Sequence, residues 1–272
     1  VRPTRVLALL AFAVVLALPT AAHAAPPVPG SMASLGDSIT RGFNACGWYS
    51  DCTSRSWSTG TDTGVNSHYR RILAINPAIS GRNYNDAKSG AKMSDLAGQA
   101  STAVSQGAGY VTILMGANDA CTSTEAGMTP VSTYRAQLDS ALSRLKSGLP
   151  NASVYVVSVP DIKRLWEVGK VSGSARTAWS MFGICQSMLA NPTSTAQADV
   201  DRRDRVRQRV AEYNAQLAQA CSAYGAQCKF DGNTAFNYPF QLSQVSGWDY
   251  FHPNAEGQRV LAQISYAAGF GW

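Results

Sequence analysis

The sequence predicts an α/β fold built on a parallel sheet, and three observations lead there. Short apolar runs that read as strands buried on both faces recur along the chain. Amphipathic helical stretches separate them, which implies crossover connections and a sheet covered by helices on both sides. Residues 31–272 hold no Pro-, Ser- or Gly-rich linker and no internal repeat, so they are expected to form one domain.

Residues 1–24 are set apart. Arg2 and Arg5 precede an apolar stretch that ends in Ala22-His23-Ala24, the layout of a secretory signal peptide with cleavage near Ala24/Ala25. The apolar run 6–18 is short for a membrane helix, and a short leader, 25–30, would follow cleavage. The protein is therefore expected to be exported. The first strand is expected at 32–35, followed by a helix over "NSHYRRILAI" and a weaker, more polar strand at 83–87. The stretch "MSDLAGQASTAVSQG" reads as a helix ending at Gly107, and 110–115 as the third strand. The next helix has Thr129 as cap, Pro130 in its first turn, an apolar stripe of Tyr134, Leu138, Ala141, Leu142 and Leu145, and a stop at Gly148 and Pro150. A fourth strand is expected at 154–159. After a long segment with Trp166, Trp179, Met181 and Phe182 comes a helix whose stripe is Val206, Val210, Tyr213, Leu217 and Cys221. The last helix starts near Asn254.

Six cysteines all follow the expected signal, an even count that favours disulfides in an exported chain, with ~15 connectivities open. Cys46–Cys52 and Cys221–Cys228 are close enough to pair locally, which leaves Cys121–Cys185 as a long-range bridge. No tight ligand spacing indicates a metal, and no cofactor motif is present. The net charge is +6, with two of the positive charges on Arg2 and Arg5. The densest basic cluster, "DRRDRVRQR" at 201–209, is interleaved with acids and reads first as a solvated helix face. Transient attraction to a lipid surface is its alternative reading. Nothing points to nucleic acid, and a monomer is expected.

In a parallel α/β sheet chemistry collects at the carboxyl ends of the strands. There the sequence places Ser38 after the first run, Gly90 after the second and Asn118 after the third. Asp249 lies three residues before His252, ahead of the last helix. Acyl transfer needs this set. A serine hydroxyl becomes a good nucleophile when a neutral imidazole takes its proton, and a carboxylate orients that imidazole. The oxyanion then needs preorganised donors, which a glycine N–H and an asparagine amide supply. Such activity should rise through the ordinary histidine range of ~6–7. Asp37 reads as a turn residue, Asp119 as a loop or cap residue and His68 as a surface or satisfied histidine. No G-x-S-x-G elbow, P-loop or dinucleotide fingerprint competes.

"GDSIT" at 36–40, Gly90 in "SGA", "GAND" at 116–119 and "DYFH" at 249–252 resemble the four blocks of the GDSL esterase/lipase family, also called SGNH hydrolases. "GDSITRGF" before cysteines in a Trp-rich loop is similar to the small secreted esterases and lipases of actinomycetes. The resemblance implies a three-layer α/β/α, flavodoxin-like sandwich with disulfide-stapled loops, cleaving carboxylic esters without a cofactor. It implies Ser38 as nucleophile, His252 as base, Asp249 as its partner, and the N–H groups of Ser38 and Gly90 with the Asn118 amide as oxyanion hole. The family's usual leucine is Ile39 here. Gly81 also lies near the second block, but Gly90 follows the strand. Trp48, Tyr49 and Trp57 lie close to Ser38 and suit lipid, glyceride, phospholipid or short-to-medium acyl esters, or they anchor long loops on the core. A carbohydrate O-acetyl esterase and a non-catalytic binding protein are the rival expectations.

Overall fold

A computed structural model describes residues 26–272, so the expected signal segment 1–24 lies outside the described residues. Strands β1 (Met32–Gly36), β2 (Asn83–Asn85), β3 (Tyr110–Leu114), β4 (Ser153–Val156) and β5 (Cys228–Phe230) form one sheet in the order β2-β1-β3-β4-β5. Every pairing is parallel. β1, β3 and β4 are buried along their whole length, which is why they carry Met32, Ala33, Leu35, Val111, Ile113, Val154 and Val156, with only small buried hydroxyls at Ser34, Thr112 and Ser153 among them. β5 is an addition to the four expected strands. It is a three-residue edge strand of mixed polarity, and Cys221–Cys228 fastens it to the preceding helix.

Helices cover both faces. α1 (His68–Ile75) joins β1 to β2, α2 (Leu96–Gln106) joins β2 to β3, and α3 (Ala117–Ala120) and α4 (Val131–Gly148) lead to β4. The long segment after β4 is not a bare loop: it carries α5 (Ile162–Gly169), α6 (Gly173–Met181) and α7 (Gln186–Leu189). α8 (Gln197–Tyr224), β5, α9 (Thr234–Asn237) and α10 (Ala255–Ala267) complete the chain. α2 packs on α4 and α4 on α8 to form one layer. On the other face, Tyr110 of β3 and Ser265 of α10 both bond His68 of α1, and the Tyr155 hydroxyl donates to the Ser265 carbonyl. The result is a three-layer α/β/α sandwich. Leader residues are tied to it, since Trp272 Nε1 donates to the Pro26 carbonyl and Asn76 Nδ2 to those of Val28 and Pro29.

Two local expectations change. Thr129 does not cap α4: Pro130 occupies that position, and the Thr129 hydroxyl donates to the buried carboxylate of Asp119 at 2.7 Å instead. β4 stops at Val156, although Val157 and Val159 stay buried beyond it. The basic face of α8 is neutralised within the fold. Arg205 pairs with Glu125, Arg207 with Asp161 and Arg209 with Glu212. Arg202 donates to three backbone carbonyls, and Arg203 is buried over the Trp166 ring. Arg205 and Arg207 keep 57% and 46% of their side-chain surface exposed, so the face is a solvated, ion-paired one.

Candidate active site

β1 ends in Gly36, whose φ of +155° and contacts exclude a side chain: a Cβ there would lie 2.5 Å from the Leu114 carbonyl oxygen. Gln99 of α2 pins the residue from both sides, accepting from its N–H at 2.7 Å and donating to its carbonyl at 2.9 Å. Beyond it Asp37 Oδ1 takes the Ile39 N–H at 2.9 Å, and the Ser38 carbonyl takes the Phe43 N–H at 3.0 Å. These bonds fix a tight turn that holds Ser38, 7% exposed, at the carboxyl end of an inner strand. Asp37 is fully buried with Oδ2 unpartnered, and burial pushes its pKa up to about 7 against the pull of the Ile39 N–H and His252.

The other half of the site comes from 214 residues further on. His252 Nε2 lies 2.7 Å from Ser38 Oγ. Its Nδ1 lies 2.5 Å from Asp249 Oδ2, and Asp249 Oδ1 takes the backbone N–H groups of Phe251 and His252 at 2.9 and 3.1 Å. This local knot folds because Tyr250, between the two, adopts a φ of +52° and its carbonyl is held by the Trp179 indole. A carboxylate accepts only, so Nδ1 carries the ring proton and Nε2 offers its lone pair to the serine hydroxyl.

Asn44 completes the relay, and nothing in its sequence surroundings marks it. It is buried two residues before the loop closed by Cys46–Cys52, has a φ of +67°, and its amide donates to Asp249 Oδ2 at 2.7 Å. Asp249 thus receives four hydrogen bonds, two on each oxygen, which fix the orientation of its carboxylate.

Gly90 and Asn118 line the same cleft as Ser38, Asp249 and His252, a space of ≈ 270 Å³ with Phe43, Tyr49, Ile184 and Phe251 in its walls. Among the described residues neither the Ser38 nor the Gly90 N–H donates to a backbone carbonyl. Asn118 spends one amide hydrogen on the Ala91 carbonyl at 2.9 Å, which fixes the plane of the group and leaves the second for the cleft. Gly81 lies before β2 and does not line the cleft. Asp119 faces inward, bonded by the Met93 N–H and Thr129, and burial pushes its pKa up. It braces the β3 end. Of the aromatics near Ser38, Trp57 is wholly buried with its indole on Thr40 Oγ1, and Trp179 is likewise buried. Both are anchors.

A parallel sheet with this relay at its carboxyl edge is the equipment of an ester hydrolase, and comparison with known proteins gives the same class: the chain is a carboxylic ester hydrolase. Residues 32–264 match the family model of the GDSL-like lipase/acylhydrolases, and the chain belongs to that family. The extracellular lipase of Streptomyces rimosus is 21% identical, with 88% of this chain and 99% of that one covered at a TM-score of 0.53. A carbohydrate esterase family 2 enzyme of Corynascus thermopiles is 17% identical, with 94% and 69% covered at 0.51. At these identities the likeness is one of fold. No curated protein sequence matches the chain.

Proposed function

We propose that the protein is an exported serine esterase that cleaves lipid or short-to-medium acyl esters through an acyl-enzyme. The observation that carries this reading is the unbroken relay from Asp249 through His252 to Ser38, at 2.5 and 2.7 Å. Ser38 Oγ attacks the ester carbonyl as His252 Nε2 takes its proton. The resulting imidazolium is stabilised by Asp249, whose carboxylate is held in place by its four hydrogen bonds. Negative charge on the former carbonyl oxygen is met by the Ser38 and Gly90 N–H groups and the Asn118 amide. His252 then protonates the leaving alcohol, the acyl group stays on Ser38, and water repeats the sequence to release the acid. Each step is completed by groups of this chain and water.

The apolar walls formed by Phe43, Tyr49, Ile184 and Phe251 favour an acyl chain over a sugar. Export is supported by the signal-like segment 1–24 and by the pairing of all six cysteines, which persists in an oxidising compartment. The test is a p-nitrophenyl ester series from acetyl to decanoyl, run on wild type and Ser38→Ala with a fluorophosphonate probe. The reading requires labelling at Ser38 alone, no turnover by the variant, and higher kcat/KM on medium chains than on acetylated xylan. Turnover by Ser38→Ala would remove the nucleophile assignment.

A further inference from the structure

Among the described residues seven large apolar side chains are more than half exposed, and five of them belong to two loops and one helix end. Trp48 (69%) and Tyr49 (58%) project from the Cys46–Cys52 loop, Met181 and Phe182 (54%) from the end of α6, and Trp248 (53%) from the segment before His252. These three segments meet. The Tyr49 and Phe182 rings are 6.3 Å apart, Tyr49 packs edge-on to Phe43 at 5.1 Å, and Phe43 lies 4.9 Å from the His252 ring. The Trp248 indole donates to the Gly47 carbonyl at 2.8 Å. The apolar group therefore borders the mouth of the cleft that holds Ser38.

Exposed rings gain by folding back onto the core, unless the backbone holds them out. Here it does. Cys46–Cys52 closes the first loop, and Cys121–Cys185 anchors the chain three residues after Phe182. The ionic groups beside the first loop cancel, since Arg41 pairs with Asp51 at 2.8 Å. A rigid apolar edge rich in Trp and Tyr, locally uncharged and contiguous with a catalytic cleft, matches the boundary between lipid headgroups and acyl chains.

Building on the esterase reading, we propose that Trp48, Tyr49, Met181, Phe182 and Trp248 form a docking surface for an uncharged or zwitterionic lipid–water interface. Docking sets the cleft mouth against the lipid, so an acyl ester reaches Ser38 without crossing bulk water. α8, with its arginines engaged, takes no part.

Flotation with vesicles of diether phosphatidylcholine, which holds no carboxylic ester, tests this directly. Wild type partitions onto them, and replacing half the lipid with phosphatidylglycerol does not tighten binding. Trp48→Ser/Phe182→Ser lowers the partition coefficient at least ~10-fold, since each side chain loses most of its apolar area. The same variant keeps wild-type kcat/KM on dissolved p-nitrophenyl acetate and raises KM on emulsified triglyceride. Wild type that stays off the vesicles, or a double variant that binds them as wild type does, overturns the proposal. So does a rim that retains acetylated xylan and not lipid. If Ser38 fails to label and dissolved ester is not turned over while vesicle binding persists, the catalytic reading falls and the docking surface stands.

Discussion

Two histidines sit on two sides of this molecule with nearly the same bonding and opposite consequences. His252 and His68 each have both ring nitrogens within 3 Å of a side-chain oxygen. His68 is completely buried between Tyr110 Oη at 2.9 Å and Ser265 Oγ at 2.8 Å. Ser265 donates its own proton to the Leu261 carbonyl, so it accepts from His68 Nε2, and Nδ1 accepts from the tyrosine. Burial, with the Arg71 cation pushing the same way, drives the His68 pKa down to about 3. His252 lies at the cleft wall with a carboxylate on Nδ1 and a serine hydroxyl on Nε2. The lesson is that saturation with hydrogen bonds does not make a base. A nearby anion that stabilises the cation does, and only His252 has one.

The largest effects should separate the two. Ser38→Ala and His252→Ala are each expected to lower kcat on a p-nitrophenyl ester by ~10⁴–10⁶-fold while leaving the thermal midpoint nearly unchanged. His68→Ala should do the reverse. It leaves a cavity and strands the Tyr110 hydroxyl, at a cost of ~3 kcal/mol in unfolding free energy, while kcat per folded molecule stays within a few-fold of wild type. Initial rates and denaturant melts on the same preparations check both halves. A His252 variant that unfolds, or a His68 variant that folds and is dead, breaks the comparison.

Smaller effects sharpen it within the catalytic half. Asn118→Ala removes one oxyanion donor and should cost ~10²–10³ in kcat with KM little changed, measured on a saturating short-chain ester. Asn44→Gly keeps the φ of +67° and removes only the amide on Asp249 Oδ2. It is expected to lower kcat by ~10-fold, about one charged hydrogen bond's worth, with fluorophosphonate labelling slowed in proportion. Wild-type rates in Asn44→Gly would mean that the backbone N–H groups alone hold the acid.

How far the sequence could be read follows from the same physics. β1 and β3 are legible because strands buried on both faces are mostly apolar, with only Ser34 and Thr112 as small buried polar exceptions, and α4 because one stripe of it must be buried. β2 and β5 are edge strands of three residues with half-exposed polar positions, so β2 is only a poor strand by pattern and β5 escapes altogether. Gly90 follows the weak polar strand and is marked by its place in the second family block, whereas Ser38 and Asn118 stand out because each follows an apolar run. Asn44 does not, because its meaning lies in a carboxylate 205 residues away that only the folded chain brings near. The fate of the tryptophans is equally hidden: Trp48 and Trp57 share one loop region, yet one is exposed and the other wholly buried.

A pH dependence of stability with two opposed sources is expected as well. Unfolded, His68 returns to its ordinary pKa of 6.5, so between about pH 6.5 and 3 the unfolded chain binds a proton that the native one refuses. Stability from this source falls on acidification, by up to ~1.4 kcal/mol per pH unit. Asp37 acts the other way. Its native pKa of about 7 lies above the ordinary 3.8, so between those values the native state binds the extra proton and stability falls as pH rises from about 3.8 to 7. The two gradients largely cancel in wild type between pH 4 and 6.5. His68→Gln removes the first and exposes the second. Its deficit against wild type in urea melts, with disulfides intact, should therefore shrink by ~2 kcal/mol between pH 6.5 and 5. A deficit constant across that range would show that His68 titrates alike in both states, and that the contrast with His252 does not rest on burial.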